Sequence, residues 1–225
     1  MRKKIVYLAI SCLIVFLGLK LQVMSEINYC RVNNEIFNDL ELAVSRLKRQ
    51  GDMLEFQMQN TENLCKLAMG HGSVCSRAHF SPEMYDYAWV KLDGVSIEGL
   101  GEAICSAERD YGVNGLFLAA VAYHESERGC SWMAKNKNNL FGLNAIDGAE
   151  HLSFTFDKPE ESIEYVARLL SRDYLDRRGR YYNGKTPAAI GKKYASDPLW
   201  SEKVCRIMQM ILVCMLSGGD ELKKN

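Results

Sequence analysis

The two longest apolar stretches of this chain lie at residues 5–19, where Ser11 is the only polar residue, and at residues 116–123. The second run, LFLAAVAY, is apolar on every side of a helix, whereas a helix at the surface of a domain carries only one apolar stripe. The pattern therefore predicts a central, buried helix over residues 115–125. The last residue of this predicted helix is a carboxylate, Glu125.

Three other segments show a single apolar stripe at helical spacing and are predicted to pack around the central helix. They span residues 97–111, about 157–174 and about 198–216. Thr186-Pro187 and Asp197-Pro198 each predict an N-cap followed by proline in the first helical turn. The stripes comprise Leu100, Ala103, Ile104, Ala107 and Tyr111; Ile163, Val166, Leu169 and Leu170; and Val204, Ile207, Met208, Ile211 and Met215.

Two short segments between these helices have strand-like patterns. LFGLNAID (140–147) and HLSFTF (151–156) predict a small β-hairpin, with Asp147-Gly148 near its turn. The fold class predicted for residues 87–217 is therefore α+β and mainly α, with one hairpin bordering a groove. Residues 218–225 are expected to be a frayed tail.

The N-terminus has the pattern of a membrane-targeting segment. Arg-Lys-Lys at residues 2–4 precedes the apolar run 5–19, and the first charge after it is Lys20. No small-x-small cleavage site follows, so an uncleaved signal anchor over residues 1–24 is favoured over a removed signal that would leave the protein secreted. The basic cluster would keep the N-terminus in the cytoplasm and place the remainder outside the cell membrane.

Residues 25–86 are predicted to be a helical stalk followed by a linker. Apolar residues in 33–65 alternate at spacings of three and four over about four heptads, which favours a stalk or weak coiled coil that could mediate self-association. The alternative is one amphipathic helix folded back on the domain. Residues 66–86 contain glycines, serines and Ser81-Pro82, a composition typical of a linker.

The composition limits both the class of partner and the pairing of the cysteines. Lys+Arg and Asp+Glu both number 28, so the net charge does not favour nucleic acid as a partner. The chain has eight cysteines, and seven remain once Cys12 in the apolar run is set aside, which excludes complete pairing within one chain. Cys65, His71, Cys75 and His79 lie close in sequence, but their spacing matches no zinc pattern; a Cys65–Cys75 disulfide or an incidental grouping is favoured, and no metal is predicted.

Glu125 is the principal candidate for catalysis. A carboxyl group at the end of a buried helix has the raised pKa that a glycosidase requires of its general acid. A second carboxylate would lie across the sugar. Asp147 is the first candidate, while Glu150 and Asp157 are alternatives, and Asp157 has a competing role as an N-cap. A third arrangement needs no protein nucleophile, because the acetamido oxygen of an N-acetylated sugar can attack instead.

Several separated motifs surround Glu125 in a fixed order. They read E-S-x-x-G-x-S from residue 125, A-K-x-K-N-N-L-F-G from residue 134 and A-x-D from residue 145. The pattern resembles that of the bacterial cell-wall N-acetylglucosaminidases, the autolysin-type glycoside hydrolase family 73, over about residues 87–216. One departure is Glu127, which stands where the family usually has glycine, and it bears on the geometry of the turn. Further segments that carry the resemblance are 87–94, 99–114, 174–187 and 193–204.

The resemblance implies a lysozyme-like fold and a role for Tyr194, in YASDPLW, beside the acid. Pyranose rings stack on aromatic faces while their hydroxyl groups require hydrogen-bond partners, which makes Phe141, Tyr181, Tyr182 and Trp200 candidate platforms, each with core packing as the alternative. Asn139 is a candidate polar contact, with loop formation as its alternative. His124 lies about 100° around the helix from the acid.

The expected activity is that of a membrane-anchored peptidoglycan hydrolase without metal or organic cofactor. The resemblance implies cleavage of the β-1,4 bond between N-acetylglucosamine and N-acetylmuramic acid. Two alternatives remain open from the residues. A muramidase or lytic transglycosylase would cut the neighbouring bond with one glutamate, and a non-catalytic module would bind the wall as a scaffold.

Overall fold

The computed structural model describes residues 53–94, 97–144 and 152–218. Among these described residues, those from Asn63 onward belong to one compact unit and those up to Glu62 belong to another. The described helices are α1 (Met53–Ala68), α2 (Pro82–Lys91), α3 (Gly101–Tyr111), α4 (Gly115–Glu125), α5 (Trp132–Lys137), α6 (Pro159–Leu169), α7 (Pro187–Tyr194) and α8 (Trp200–Gly218), with a π-helical turn at Leu170–Leu175.

Helix α4 is the centre of the compact unit, as its apolar sequence predicts. All nine residues from Gly115 to Tyr123 are buried. The helix packs against α8, α3 and α6, and α8 also covers α2 and α7. Burying a helix on all sides stabilises it through the hydrophobic effect, which contributes about 25 cal/mol for each Å² of apolar surface removed from water. The last turn of α4 therefore delivers Glu125 from a rigid element.

The surrounding helices follow their predicted stripes with small differences. Thr186 caps α7 by accepting a hydrogen bond from the Ala189 backbone N–H at 3.2 Å. The N-cap of α6 is Lys158, not Asp157. The backbone N–H of Asp157 instead donates to Glu161. Four predicted core residues are only half-buried, namely Ala103, Tyr111, Leu169 and Ile207.

The β-hairpin is not observed, and no strand occurs in the ranges that the structure describes. The two segments do meet, since the backbone N–H of Phe154 donates to the Leu143 carbonyl at 3.1 Å. However, Asn138, Gly142 and Asn144 all have positive φ angles, between 52° and 61°. A left-handed residue turns the chain away from the extended conformation, so the described pairing stays irregular. The predicted turn at 147–148 lies outside the described residues.

The part of the chain predicted as stalk and linker contributes to the compact unit from Asn63 onward. Val74 and Ala78 are fully buried. The backbone of Val74 donates to the Lys185 carbonyl at 2.8 Å and accepts from the Asn114 N–H at 2.7 Å. No disulfide forms among the described cysteines, so Cys65 and Cys75 are not bridged. The described residues also contain no cluster of side chains able to hold a metal ion.

None of the helices in the described ranges is both long enough and apolar enough to cross a bilayer. The predicted anchor, residues 1–24, and most of the predicted stalk lie outside those ranges.

Candidate active site

Glu125 is the last residue of α4, and a tight turn follows it. The Glu127 N–H donates to the His124 carbonyl at 3.2 Å, and the Arg128 N–H donates to the Tyr123 carbonyl at 2.8 Å. This pair of bonds defines a Schellman motif with Glu127 at its left-handed position. Glu127 and Arg128 have φ angles of 51° and 63°. The departure noted in the sequence thus places a side chain where glycine is preferred, and the turn forms nonetheless.

The carboxylate of Glu125 is held by a residue 75 positions away in sequence. The indole Nε1–H of Trp200 donates to Glu125 Oε1 at 2.6 Å. Trp200 is the first residue of α8, and only 2% of it is exposed. Its ring lies against Gly191 of α7, where an added Cβ would come within 2.9 Å of the ring. Gly191 therefore provides the space that lets Trp200 reach the acid.

Burial raises the pKa of the Glu125 carboxyl above its ordinary value, while the hydrogen bond from Trp200 and the proximity of His124 act in the opposite direction. The group itself is only half-buried, so a ligand can reach it. Desolvation disfavours the charged form of a carboxyl group and retains its proton closer to neutral pH. The site thus combines an accessible carboxyl, a raised pKa and a fixed orientation.

Tyr194 lies beside this pair. Its ring centroid is 4.8 Å from that of Trp200. Burial, the charge of Glu125 and the neighbouring Tyr174 raise the pKa of Tyr194 well above its ordinary value. Its hydroxyl is therefore protonated at physiological pH and can donate a hydrogen bond.

The aromatic contacts continue away from the acid as a row of rings. The ring centroid of Tyr174 lies 5.9 Å from that of Tyr194 and 5.1 Å from that of Tyr181. We call Trp200, Tyr194, Tyr174 and Tyr181 the aromatic row. Within this row Trp200 and Tyr174 are buried, while Tyr194 and Tyr181 are half-buried.

The candidate platforms separate into two groups. Trp200 and Phe141 are buried, with exposed fractions of 2% and 4%. Neither can offer an open ring face to a sugar, so burial argues for the packing alternative at both positions. Tyr181 and Tyr182 are half-buried and stay candidates for contact with a glycan.

Asn139 is committed to its own loop. Its side-chain N–H groups donate to the carbonyls of Leu143 and Phe154, both at 3.0 Å. Its Oδ1 accepts from the Leu143 N–H at 3.0 Å, and the residue is fully buried. These contacts use its donors and one lone pair, which favours the loop-forming alternative over sugar binding.

Of the three candidates for the second carboxylate, only Asp157 lies within the described residues. Asp147 and Glu150 lie outside the described residues. Asp157 is exposed, and its carbonyl accepts from the Asn138 side chain at 3.1 Å.

The structure gives three aromatic residues a position or a role that the sequence did not predict. Trp200 was predicted as a platform, although its contribution is the N–H bond to Glu125. Tyr174 completes the aromatic row, and only its position within a predicted helix was visible in the sequence. Trp132, directly after the turn, is 53% exposed and has Lys137 Nζ 6.0 Å above its ring. An aromatic residue breaking the polar pattern at 132 was the available signal.

A half-buried glutamate with a raised pKa, ending a buried helix in a mainly helical fold, has the properties of the general acid in a glycoside hydrolase. The family described as mannosyl-glycoprotein endo-beta-N-acetylglucosaminidase, or glucosaminidase, matches residues 101–212. Residues 101–212 therefore carry the domain of the glucosaminidase family, glycoside hydrolase family 73.

Two relatives agree with this assignment. Two proteins from different strains of Streptococcus pneumoniae, both bearing the name endo-beta-N-acetylglucosaminidase, are 35% identical to the chain over 136 residues. The match covers 59% of this chain but only about a fifth of theirs, 20% and 19%.

The fold is similar to that of autolysin E from S. aureus, with a TM-score of 0.52 and 19% identity over 67% of this chain and 76% of the other. A catalytic mutant of that autolysin, in complex with the disaccharide NAG-NAM, gives a TM-score of 0.50 and 21% identity over 66% and 76% of the two chains. The described part is thus a mainly helical, lysozyme-like fold.

Proposed function

We propose that this protein hydrolyses peptidoglycan at the β-1,4 bond on the reducing side of N-acetylglucosamine, with Glu125 as the general acid. The observation that carries the proposal is the Glu125–Trp200 pair at the end of the buried helix α4. Family membership and the names of the relatives support a glucosaminidase. The choice of bond rests on that resemblance.

The geometry of the pair assigns the two carboxyl oxygens different roles. An indole N–H can only donate a hydrogen bond, so Glu125 Oε1 must accept it. In the acid form the proton therefore resides on Oε2, which Trp200 leaves available. Oε2 would protonate the glycosidic oxygen as the bond to the anomeric carbon breaks through an oxocarbenium-like transition state.

Tyr194 is suited to stabilise that transition state. Its protonated hydroxyl can donate to the reacting sugar or to its acetamido group, while its ring is held against Trp200. The oxocarbenium ion is then captured either by water, with a carboxylate such as Asp147 as the base, or by the acetamido oxygen of the substrate itself. In the acetamido route Glu125, now ionised, takes a proton from the water that opens the cyclic intermediate. In the water route the second carboxylate takes that proton, and Glu125 regains its own from solvent.

We further propose that the protein acts outside the cell membrane, held there by a signal anchor at residues 1–24. The support is the basic cluster at residues 2–4 followed by the apolar run 5–19. Self-association through the 33–65 segment would belong to the same arrangement, with the heptad-like spacing as its support.

The test is digestion of purified peptidoglycan, followed by borohydride reduction and mass spectrometry of the new reducing ends. N-acetylglucosaminitol ends that are absent with a Glu125→Gln control would support both the bond and the acid. Muramitol or anhydro-muramic ends would instead indicate a muramidase or a lytic transglycosylase. A protein that sediments with the wall and releases no ends would be a binding module.

A further inference from the structure

Positive charge is concentrated in one segment of an otherwise neutral chain. Lys+Arg and Asp+Glu are equal over the whole sequence, but residues 172–193 contain seven basic and two acidic residues. Arg177, Arg178 and Arg180 are all exposed. We call residues 176–181 the arginine loop. Exposed charges of one sign concentrated on a neutral protein create a local potential that attracts oppositely charged ligands.

The two acidic residues of this segment are already occupied. Asp173 accepts from Arg172 at 2.7 and 2.8 Å with both oxygens. Asp176 accepts from the backbone N–H of Arg178 at 2.8 Å, and its distance to the Arg178 guanidinium is 3.7 Å. Among the described residues, no carboxylate lies within ion-pair distance of Arg177 or Arg180. These two guanidinium groups retain their capacity to bind an anion.

The arginine loop has a defined shape. The Tyr181 N–H donates to the Asp173 carbonyl at 2.8 Å, which folds the loop back on the π-helical turn. At Gly179 an added Cβ would lie 2.5 Å from that same carbonyl oxygen, so this approach is open only to glycine. Donor groups held on a closed loop lose less conformational entropy on binding than groups on a free segment.

The arginine loop contacts Tyr181, the ring of the aromatic row at the end opposite Trp200. The Arg180 guanidinium is 5.3 Å above the ring of Tyr181, the last residue of that row. Three successive ring contacts, of 5.1, 5.9 and 4.8 Å between centroids, connect Tyr181 to Trp200 and thus to Glu125. The arginine loop is therefore joined to Glu125 by a continuous series of side-chain contacts, and a ligand chain that extends from the sugar along the aromatic row would meet the arginines.

We propose that the arginine loop binds the carboxylates of the acidic peptide that muramic acid carries, and so selects peptide-bearing glycan. This inference rests on the proposed function, because it needs glycan at Glu125. The planar guanidinium matches a carboxylate with two parallel hydrogen bonds. Peptides are attached to the sugar beside the cleaved bond, whereas anionic phosphate polymers of the wall are attached only at intervals, so the position of the loop favours the peptide.

The experiment measures binding of the full-length Glu125→Gln protein to insoluble glycan by cosedimentation. Three materials are compared: peptidoglycan freed of phosphate polymers, the same material stripped of its peptides with an amidase and with the freed lactyl carboxylates converted to methylamides, and wall that retains its phosphate polymers. Removing the peptides should weaken binding about 5- to 10-fold at low salt. The difference should shrink at 0.5 M salt, where the Debye length falls to about 4 Å.

Two variants in the Glu125→Gln background assign the effect to the loop. Arg177→Gln with Arg180→Gln should bind intact peptidoglycan as weakly as stripped glycan and show no further loss on stripping. The corresponding pair of lysine substitutions should recover part of the affinity, because the charge remains while the planar donor pair is lost. Arg109→Gln, at an exposed arginine on α3 paired with Asp110, is the matched control and should bind like the parent protein.

Equal binding of stripped and intact peptidoglycan would overturn the inference, as would a loss that follows removal of the phosphate polymers and not of the peptides. Failure of the proposed function can be distinguished from failure of the loop assignment. If the unmodified protein releases no sugar ends but peptide-dependent binding through Arg177 and Arg180 persists, the loop assignment holds and the hydrolase does not.

Discussion

A glutamate carboxyl group lies at each end of α4, and the two groups differ in their surroundings. Glu108 of α3 lies at the first residue of α4, and Glu125 is its last residue. Near the first residue, Glu108 is 8% exposed and accepts from the backbone N–H groups of Ala78 and Gly115, both at 2.7 Å. At the last residue, Glu125 is half-buried and accepts from one indole N–H of Trp200. The first carboxylate ties two segments to a helix N-terminus, where the helix dipole favours an anion.

The contrast shows that a glutamate can have a structural or a chemical role, depending on which N–H groups donate to its carboxyl group. Both carboxyl groups accept through Oε1, but Glu108 is buried and accepts from two backbone N–H groups, whereas Glu125 is half-buried and accepts from one indole N–H, so a ligand can reach its second oxygen. Burial raises the pKa of Glu125, and its place at the helix C-terminus acts in the same direction, since the dipole there disfavours an anion. Substitutions that remove the carboxyl groups or their hydrogen-bond partners test this contrast.

The largest effect is expected from Glu125→Gln. The amide keeps the size and the hydrogen bond from Trp200 but has no proton to donate, so glycan hydrolysis should fall by about 100- to 10,000-fold. The release of reducing ends measures the activity, and circular dichroism checks that the fold is retained. Activity within a few-fold of the unmodified protein would remove Glu125 from the chemistry.

The same variant also tests the raised pKa through stability. A carboxyl group whose pKa is raised by folding contributes full stability below its ordinary pKa of 4.5, and that contribution is lost as pH rises through the raised value. Glu125→Gln should therefore gain stability relative to the unmodified protein above that range and not below it. Denaturant unfolding at both ends of the range measures the difference, and a gain independent of pH would contradict the shift.

Glu108→Ala should affect stability more than chemistry. It leaves the buried N–H groups of Ala78 and Gly115 without their acceptor, at a cost of about 1–3 kcal/mol for each stranded group. Thermal unfolding should show the loss, while the folded fraction should keep its activity. Glu108→Gln, which retains an acceptor oxygen, is the matched control and should lose less. An unchanged melting temperature for Glu108→Ala would contradict the structural role.

Trp200→Phe should move the pH dependence of hydrolysis. The hydrogen bond from Trp200 lowers the pKa of Glu125, so its removal should raise that pKa further and shift the alkaline limb of kcat/KM to higher pH. The rate at the optimum should fall by about 10-fold, because the carboxyl loses its orientation.

The control for that substitution is Trp89→Phe. Trp89 is fully buried, and its Nε1 makes no hydrogen bond within the described residues. It should lose comparable packing without any shift in the pH profile. If both variants move the alkaline limb equally, the hydrogen bond is not the cause.

The smallest effect is expected from Glu127→Gly, in the turn after the acid. A left-handed conformation costs a side-chain-bearing residue about 1 kcal/mol that glycine does not incur. The melting temperature should rise by about 2–4 °C, with little change in activity. Gly129→Ala, at a φ of 80° in the same turn, should change stability in the opposite direction. A lower melting temperature for Glu127→Gly would show that its side chain stabilises the turn.

Local signals predicted much of the helical framework and the acid. The apolar run before Glu125 indicated a buried helix, and Thr186-Pro187 indicated the start of α7. The hairpin was not confirmed, since its described residues form no strand and an alternating pattern does not reveal the left-handed conformations of Gly142 and Asn144. The π-helical turn at 170–175 was also missed, since its sequence continues the apolar stripe of α6.

The sequence by itself determined that α4 is buried and that a carboxyl group ends it, because an all-apolar helix is stable only away from water. Only the tertiary structure decided what that carboxyl group meets. The donor from Trp200 is 75 residues distant, and it reaches Glu125 because Gly191 admits the indole ring between α7 and α8. A contact of this kind depends on how helices pack, and neither partner carries a local signal that names the other.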